Sequence, residues 1–569
     1  VTIRHELLAI VALITAVPVW AADSNAGSIF FRQQCALCHS AAPGDNGGAQ
    51  GPSLIGLIGR KAASDANFGY TRELKASGLT WGGANLDRFL VSPTTVVPGT
   101  AMVIAVPDVV DRGNLIAYFQ ALNDGSFKAP AARTAASSTR TTSTPIPEQG
   151  GEWRDDRPGR VHRIDLAKLP APTDTSATSN HPKLIDKPPG ARLSVPSGFK
   201  AEVFSRVVQG PRAMRLAPNG DIFVTEMNRG RVVVMRPSAN GANAASVEVF
   251  AQGLNLPYGM AFYPSGSDPQ WLYIAENNRV VRYAYNVGAQ HASGLPEVIV
   301  PQLYPGSGGH VTRDLVFSAD GKRMFVSVGS LSNVAETMPK KSPGEIVAWE
   351  SAHGLGTAWG PEENRAAVLV FNVGSATTGK VFAGGIRNCS GLTLQPATGD
   401  LWCTTNERDN LGDDLVPDYS TRVREGAFYG WPWYYMGNHE DERLAGQRPD
   451  LAGKVTVPDV LYQPHSASLN LVFYGATTGT SAFPREYLGD GFAVFHGSWN
   501  RSFRTGHKIV RVRMKNGVPT GEYVDFLVGF IASNGDAWGR PAALVVAADG
   551  SLLMSDDAFN LIYRISYAH

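Results

Sequence analysis

Two groups of residues have the types and spacing to do chemistry. The first is Cys35-Ala36-Leu37-Cys38-His39. Two thiols separated by two residues, with an imidazole directly after, suit covalent attachment of a haem through its vinyl groups with the histidine on the iron. Between this motif and Asp124 there is one methionine, Met102, and no further histidine, so Met102 is the expected sixth ligand. A zinc site or a redox CxxC would want a second ligand pair or a thioredoxin-like βαβ pattern nearby, and neither is visible. The second group is spread over the C-terminal two-thirds: His310-Val311-Thr312-Arg313-Asp314, Arg387-Asn388-Cys389, the acidic run Asn406 to Asp414, His496 to Arg501, and Trp538-Gly539-Arg540-Pro541. Singly, each reads as a surface pair or a satisfied structural residue. Together they would supply several cations, one or two histidines and an acidic loop, an inventory that suits an anionic ligand held by guanidinium forks, a hard cation on loop oxygens and a histidine base.

The elements that must position these groups fall into four segments. Residues 1–22 carry Arg4 and His5, an apolar run from Leu7 to Val19 and a small-residue cleavage site, the pattern of a secretory signal peptide. Its apolar part is short for a membrane span, and none is expected after its removal. Residues 23–127 read as a small all-α domain, with Leu115, Ile116, Phe119 and Leu122 on one face of a helix over Asp111 to Leu122. Residues 128–190 are rich in Ala, Ser, Thr and Pro and read as a linker, and the sequence leaves open whether its charged middle, Glu152 to Arg163, packs on a neighbour. From 191 to 569 a Gly/Asp/Pro turn followed by a short apolar strand recurs six times, at Asn219–Val224, Asp268–Ile274, Asp320–Val326, Thr398–Trp402, Gly489–Val494 and Asp549–Met554. Six similar units predict an all-β six-bladed propeller with long insertions after the third and fourth; a pair of β-sandwiches would not so readily give six.

Composition is consistent with this multidomain reading. The 569 residues carry 51 Lys+Arg against 50 Asp+Glu, so nothing points to nucleic acid or an anionic membrane surface. Of the four cysteines, two belong to the haem motif. Cys389 and Cys403 flank a turn and suit a disulfide across a hairpin in an oxidising compartment; two buried free thiols are the alternative. Haem of the c type is attached outside the cytoplasm in bacteria, so the expected location is the periplasm.

Residues 23–127 resemble a class I cytochrome c over nearly their whole length, on Gly51-Pro52-Ser53-Leu54, Gly69-Tyr70, Trp81 and Pro98-Gly99-Thr100-Ala101-Met102. The resemblance implies His39 and Met102 as axial ligands. From Pro196 to Tyr567 the chain is similar to the glucose/sorbosone dehydrogenase family, which uses pyrroloquinoline quinone. The motifs are those named above together with Tyr429-Gly430-Trp431-Pro432-Trp433, His465-Ser466-Ala467-Ser468 and Ser555-Asp556-Asp557. This resemblance implies His310 as the base taking the substrate hydroxyl proton and Arg387 with Asn388 at the reactive carbonyl of the quinone. It further implies Arg212, His465, Arg501 and Arg540 as cofactor contacts, and Ca2+ held by the backbone carbonyls of Asp409 and Asn410. The glutamine that soluble glucose enzymes place beside the cofactor has no clear counterpart near Leu254 to Tyr258, so their substrate specificity does not carry over. The expected activity is oxidation of an aldose or a sorbosone-like aldehyde, with electrons passing to the chain's own haem c and then to an external acceptor such as another cytochrome. A propeller lactonase, or an electron-transfer or sugar-binding protein without the quinone, are the alternatives.

Overall fold

A computed structural model describes residues 22–36, 38–41, 51–65, 68, 70–100, 102, 104–127, 153–173, 180–336, 338–374 and 379–568. The expected signal peptide, except Ala22, and the first part of the expected linker lie outside them. In the N-terminal domain, helix Ser24–Phe30 widens into a π-helical turn, Phe31–Cys35, that delivers the haem motif. Asp108 caps the expected C-terminal helix, observed at Val109–Asn123, by accepting from the amides of Val110 and Asp111. The two helices cross at Gly27, where a Cβ would come within 2.0 Å of the Asn114 carbonyl oxygen. Phe31, Trp81, Phe89, Leu115 and Phe119 form the core around them.

The large domain is a six-bladed propeller. Its innermost strands are Pro211–Leu216, Met260–Tyr263, Leu315–Phe317, Cys389–Leu394, Ser468–Phe473 and Pro541–Val546. Each neighbours the next, and the sixth neighbours the first, closing the ring. All six sequence repeats fall on the same element, the second strand of each blade: Ile222–Glu226, Trp271–Ala275, Arg323–Val328, Leu401–Thr405, Gly491–Phe495 and Leu552–Asp556. These strands are buried along nearly their whole length, because blades on either side cover both faces. That double cover is why the repeat reads as an unbroken apolar run rather than an alternation. Strand Phe199–Ser205 pairs antiparallel with Leu561–Tyr567, so the two ends of the propeller segment complete one blade and hold the ring shut. The expected disulfide, Cys389–Cys403, joins the first two strands of blade 4. The two insertions occupy 329–366, with helix Pro343–His353, and 423–459.

The expected linker over 128–190 is docked on the propeller where the chain is described, which decides the packing of its charged middle that the sequence left open. Strand Val161–His162 pairs with Val524 and Tyr523 as a fifth strand of blade 5. Ile164, Leu166 and Leu169 pack on Leu411, Leu415 and Tyr435. Buried Lys508 donates to Asp156 Oδ1 at 2.7 Å and lies 2.9 Å from Asp525 Oδ1, while His162 Nε2 donates to Asp525 Oδ1 at 2.9 Å. Asp156, His162 and Asp525 would otherwise make a metal-ligand triad, but a lysine ammonium supplies the cation there. Three apolar side chains and a pair of opposite charges are enough to dock a segment whose average composition reads as unstructured. Among the described residues, no helix is long and apolar enough to cross a membrane.

Candidate functional site

Antiparallel strand order decides where the charged motifs meet. The start of each innermost strand and the turn between the second and third strands lie at the same end of a blade. His310, Arg387, His465 and Arg540 come just before innermost strands, and Arg212 is the second residue of one; Asn333, Asp409, His496 and Asp557 lie in the turns after second strands. All therefore gather around one mouth of the ring.

On the side of blades 3 to 5, His310 Nδ1 donates to the Ser330 carbonyl at 2.9 Å, and Nε2 has no hydrogen-bond partner among the described residues. Burial and the nearby Arg387 hold its pKa at about 3, so the ring is neutral with its free lone pair on Nε2. A Cβ at Gly329 would lie 2.4 Å from Asn388 Oδ1 and 2.7 Å from His310 Cβ, so glycine is what lets the two side chains approach. Asn388 Oδ1 accepts from Thr312 at 3.2 Å. Arg387 is fixed by the Glu407 carbonyl at 2.7 Å, Asn333 Oδ1 at 2.9 Å and Asp409 Oδ2 at 3.2 Å.

His465 differs from His310 in having acceptors at both ring nitrogens, the Gly412 carbonyl at 3.0 Å from Nε2 and Asp409 Oδ1 at 3.4 Å from Nδ1. Burial opposes its charge, but Asp409 outweighs burial and raises its pKa, which favours the protonated ring over a free base.

On the side of blades 5, 6 and 1, His496 Nδ1 accepts from Arg540 Nη2 at 2.8 Å and its Nε2 donates to Asp557 Oδ1 at 2.8 Å. Asp557 also binds Arg212. Burial, then Arg540, holds His496 at about 4, and both its nitrogens are engaged. The Nε atoms of Arg212 and Arg540 are buried with no partner among the described residues. Two buried guanidiniums with unused donors are what an anionic, carboxylate-bearing cofactor needs, so the residues fit pyrroloquinoline quinone.

One expectation is corrected in part. The Asp409 carbonyl accepts from Arg443 Nη1 at 2.9 Å and Asn333 Nδ2 at 3.1 Å, which uses both its lone pairs and sets a positive charge directly against it. That carbonyl does not fit a cation, so the Asp409 half of the expected calcium pair does not stand. Arg501 is buried with Nη2 on Asp414 Oδ1 at 2.7 Å, which braces the acidic loop, and its Nε, like those of Arg212 and Arg540, has no partner among the described residues. The roles of Asn333, Asp557 and His496 were not assigned from the sequence. Their signal was position, since whatever follows a repeat strand reaches the mouth.

The N-terminal half fits haem c. His39 Nδ1 donates to the Pro52 carbonyl at 2.9 Å, which leaves Nε2 for iron. A Cβ at Gly51 would lie 2.3 Å from that ring, so glycine is required for the loop to cover it. Cys35 and Met102 border the same apolar cluster. This domain lies against the propeller mouth: a Cβ at Gly308, two residues before His310, would come within 2.1 Å of Oε1 of Gln34, the neighbour of Cys35.

Known proteins bear out both halves. Residues 193–422 and 448–568, more than half of the chain, match the family described as TrAA12-like. The gap between them contains Arg443, which caps the Asp409 carbonyl. The holo pyranose dehydrogenase PQQ domain of Coprinopsis cinerea has the same fold, with a TM-score of 0.53 and 21% identity over 67% of this chain and 98% of that one. So does the calcium structure of the Trichoderma reesei family AA12 carbohydrate-active enzyme, with a TM-score of 0.52 and 19% identity over 72% of this chain and 99% of that one. Cytochrome c of Tetrahymena pyriformis is 44% identical over 101 residues, 18% of this chain and 89% of the relative. The chain belongs to the TrAA12-like family of six-bladed propellers and carries a cytochrome c domain fused ahead of it.

Proposed function

We propose that the protein is a periplasmic quinohaemoprotein dehydrogenase that oxidises an aldose, or a sorbosone-like aldehyde as its hydrate, and delivers the electrons through its own haem c to an external acceptor such as another cytochrome. The observation that carries this reading is the haem-attachment turn seated beside His310, a neutral histidine with one free ring nitrogen at a mouth lined by guanidiniums. Pyrroloquinoline quinone, when bound, supplies a two-electron acceptor for a sugar hydride, and haem c supplies a one-electron outlet. His310 Nε2 takes the substrate hydroxyl proton, while Ser330 keeps the other nitrogen protonated and the ring oriented. Arg387, clamped by Glu407, Asn333 and Asp409, provides fixed positive charge where negative charge develops. Arg212 and Arg540 bind carboxylates through their unused donors. The likeness to a fungal pyranose dehydrogenase supports pyranoses as the first substrates to test. The periplasmic location rests on the leader-like sequence of 1–22 and on the haem motif, and the disulfide accords with it.

The test is haem absorbance after adding a panel of aldoses and aldehydes to full-length protein with and without added quinone. Haem reduction that needs both quinone and substrate supports the reading. Turnover without quinone would replace it with a hydrolase, and quinone binding without substrate-linked reduction across the panel would refute sugar oxidation. His310→Ala abolishes the substrate-driven reduction and leaves reduction by dithionite intact.

A further inference from the structure

His181 lies outside both the family match and the cytochrome domain, on the segment between them. That segment is sewn to the mouth of the propeller. The Asn180 amide donates to the Trp499 carbonyl at 2.6 Å, and Asn180 Nδ2 donates to the carbonyls of Arg501 and Ser502 at 3.1 and 2.9 Å. Arg504 clamps the turn by donating to the carbonyls of Asn180 and His181 at 2.8 and 3.0 Å. Further on, Ile185 and Lys183 exchange backbone hydrogen bonds with Ala537, in the loop before Arg540. The backbone at position 181 is therefore held as firmly as a strand.

The side chain it presents is unusual in what it lacks. His181 is 9% exposed, yet its Nε2 is buried with no hydrogen-bond partner among the described residues. Its neighbours are cationic or neutral, with Arg540, Arg504 and His496 on the propeller side and His39 on the haem side, and burial with their field keeps it uncharged. A buried ring nitrogen without a partner costs about 1–3 kcal/mol unless a ligand meets it. Phe68 of the cytochrome domain packs edge-on against the same ring, with centroids 6.4 Å apart.

We infer that His181 is a positioning residue of the cofactor cradle, its Nε2–H and the free Nε of Arg540 receiving one carboxylate of the bound quinone while Phe68 of the haem domain rests against its ring. The segment between the domains is then part of the site, and the cofactor itself fastens the linker that holds the haem domain over it. This rests on the proposed quinone dependence. Three features support it independently of sequence likeness: the orphaned nitrogen, the unpartnered Arg540 Nε in the same cluster, and the double anchoring of the backbone.

The experiment is a tryptophan-fluorescence titration of the full-length, haem-loaded chain with pyrroloquinoline quinone, comparing wild type with His181→Phe and His181→Gln. Phenylalanine keeps the ring and its contact with Phe68 but removes the nitrogen; glutamine keeps a donor at similar reach. Loss of one charge-assisted hydrogen bond raises the Kd of His181→Phe roughly tenfold or more, and His181→Gln recovers most of the affinity. Haem absorbance and tryptic protection of residues 180–190 show that the variants are folded. A folded His181→Phe that binds quinone as tightly as wild type overturns the inference and leaves the proposed function standing. Equal losses in both variants overturn it as well, because packing rather than the donor would then be responsible. Wild type that binds no quinone overturns the proposed function, and this inference with it.

Discussion

Lys508→Met is the sharpest test of how the connecting segment is held. Lys508 is completely buried, with Asp156 of the segment on one side and Asp525 of blade 5 on the other, at 2.7 and 2.9 Å. Methionine matches its length but removes the charge, leaving two carboxylates facing one another in a site that water does not reach. His162 relieves Asp525 in part, and among the described residues Asp156 has no other side-chain partner as close. Breaking a buried ion pair from one side costs about 3–5 kcal/mol. The cost is largest where the segment meets the blade, so the opening equilibrium of residues 153–173 rises roughly a hundredfold to a thousandfold or more, at about 1.4 kcal/mol per factor of ten. Asp156→Ala is the informative contrast. It leaves the Lys508–Asp525 pair intact and removes one charged hydrogen bond, a loss of about 1.5–3 kcal/mol. Limited trypsin digestion at Arg154, Arg160 and Arg163 reads the opening directly while cleavage is slow relative to reclosing. The expected order of cleavage rates is wild type, then Asp156→Ala, then Lys508→Met. Indistinguishable rates for Lys508→Met and wild type, or a faster Asp156→Ala, would refute the argument that this buried triad docks the segment.

Three further outcomes are expected. With His310 held at about 3, sugar-driven haem reduction in the quinone-loaded protein stays flat between pH 8 and 5, with no break near the ordinary histidine value; stopped-flow haem absorbance checks this. The same low pKa makes the unfolded chain bind more protons than the folded one between about pH 3 and 6.5, so His310 makes the fold less stable as pH falls through that window. His310→Gln should therefore lose less stability than wild type between pH 7.5 and 5, by about 1–2 kcal/mol, in denaturant unfolding of the propeller followed by tryptophan fluorescence. Gly497→Ala, at φ +110° and with its Cβ 1.9 Å from His507 Nε2, should destabilise the propeller by about 3 kcal/mol or more in the same assay.

Much of the architecture was legible from residue order. The haem motif is local, because two thiols and an imidazole must be close along the chain to meet one porphyrin. The six repeats were legible because a strand covered on both faces has to be apolar throughout, and each copy proved to be the second strand of a blade. The motifs that reach the mouth were legible too, since antiparallel pairing sends whatever follows a second strand, and whatever precedes a first, to the same end.

Only the tertiary structure decided what those groups are. Arg212 and Asp557 pair across 345 positions of sequence, and His496 is neutral because burial and the neighbouring Arg540 outweigh the pull of Asp557. His310 is neutral with one open ring nitrogen, while His465 is bracketed by acceptors that favour its protonated form. Arg443, from an insertion in the fourth blade, takes the carbonyl that the family pattern assigned to Ca2+. The linker's docking depends on a lysine more than 300 residues away. A residue's type and spacing determine which chemistry it is capable of. Its charge, its free lone pairs and its partners depend on burial and on neighbours distant in sequence, because Coulomb energy and hydrogen-bond geometry act through space.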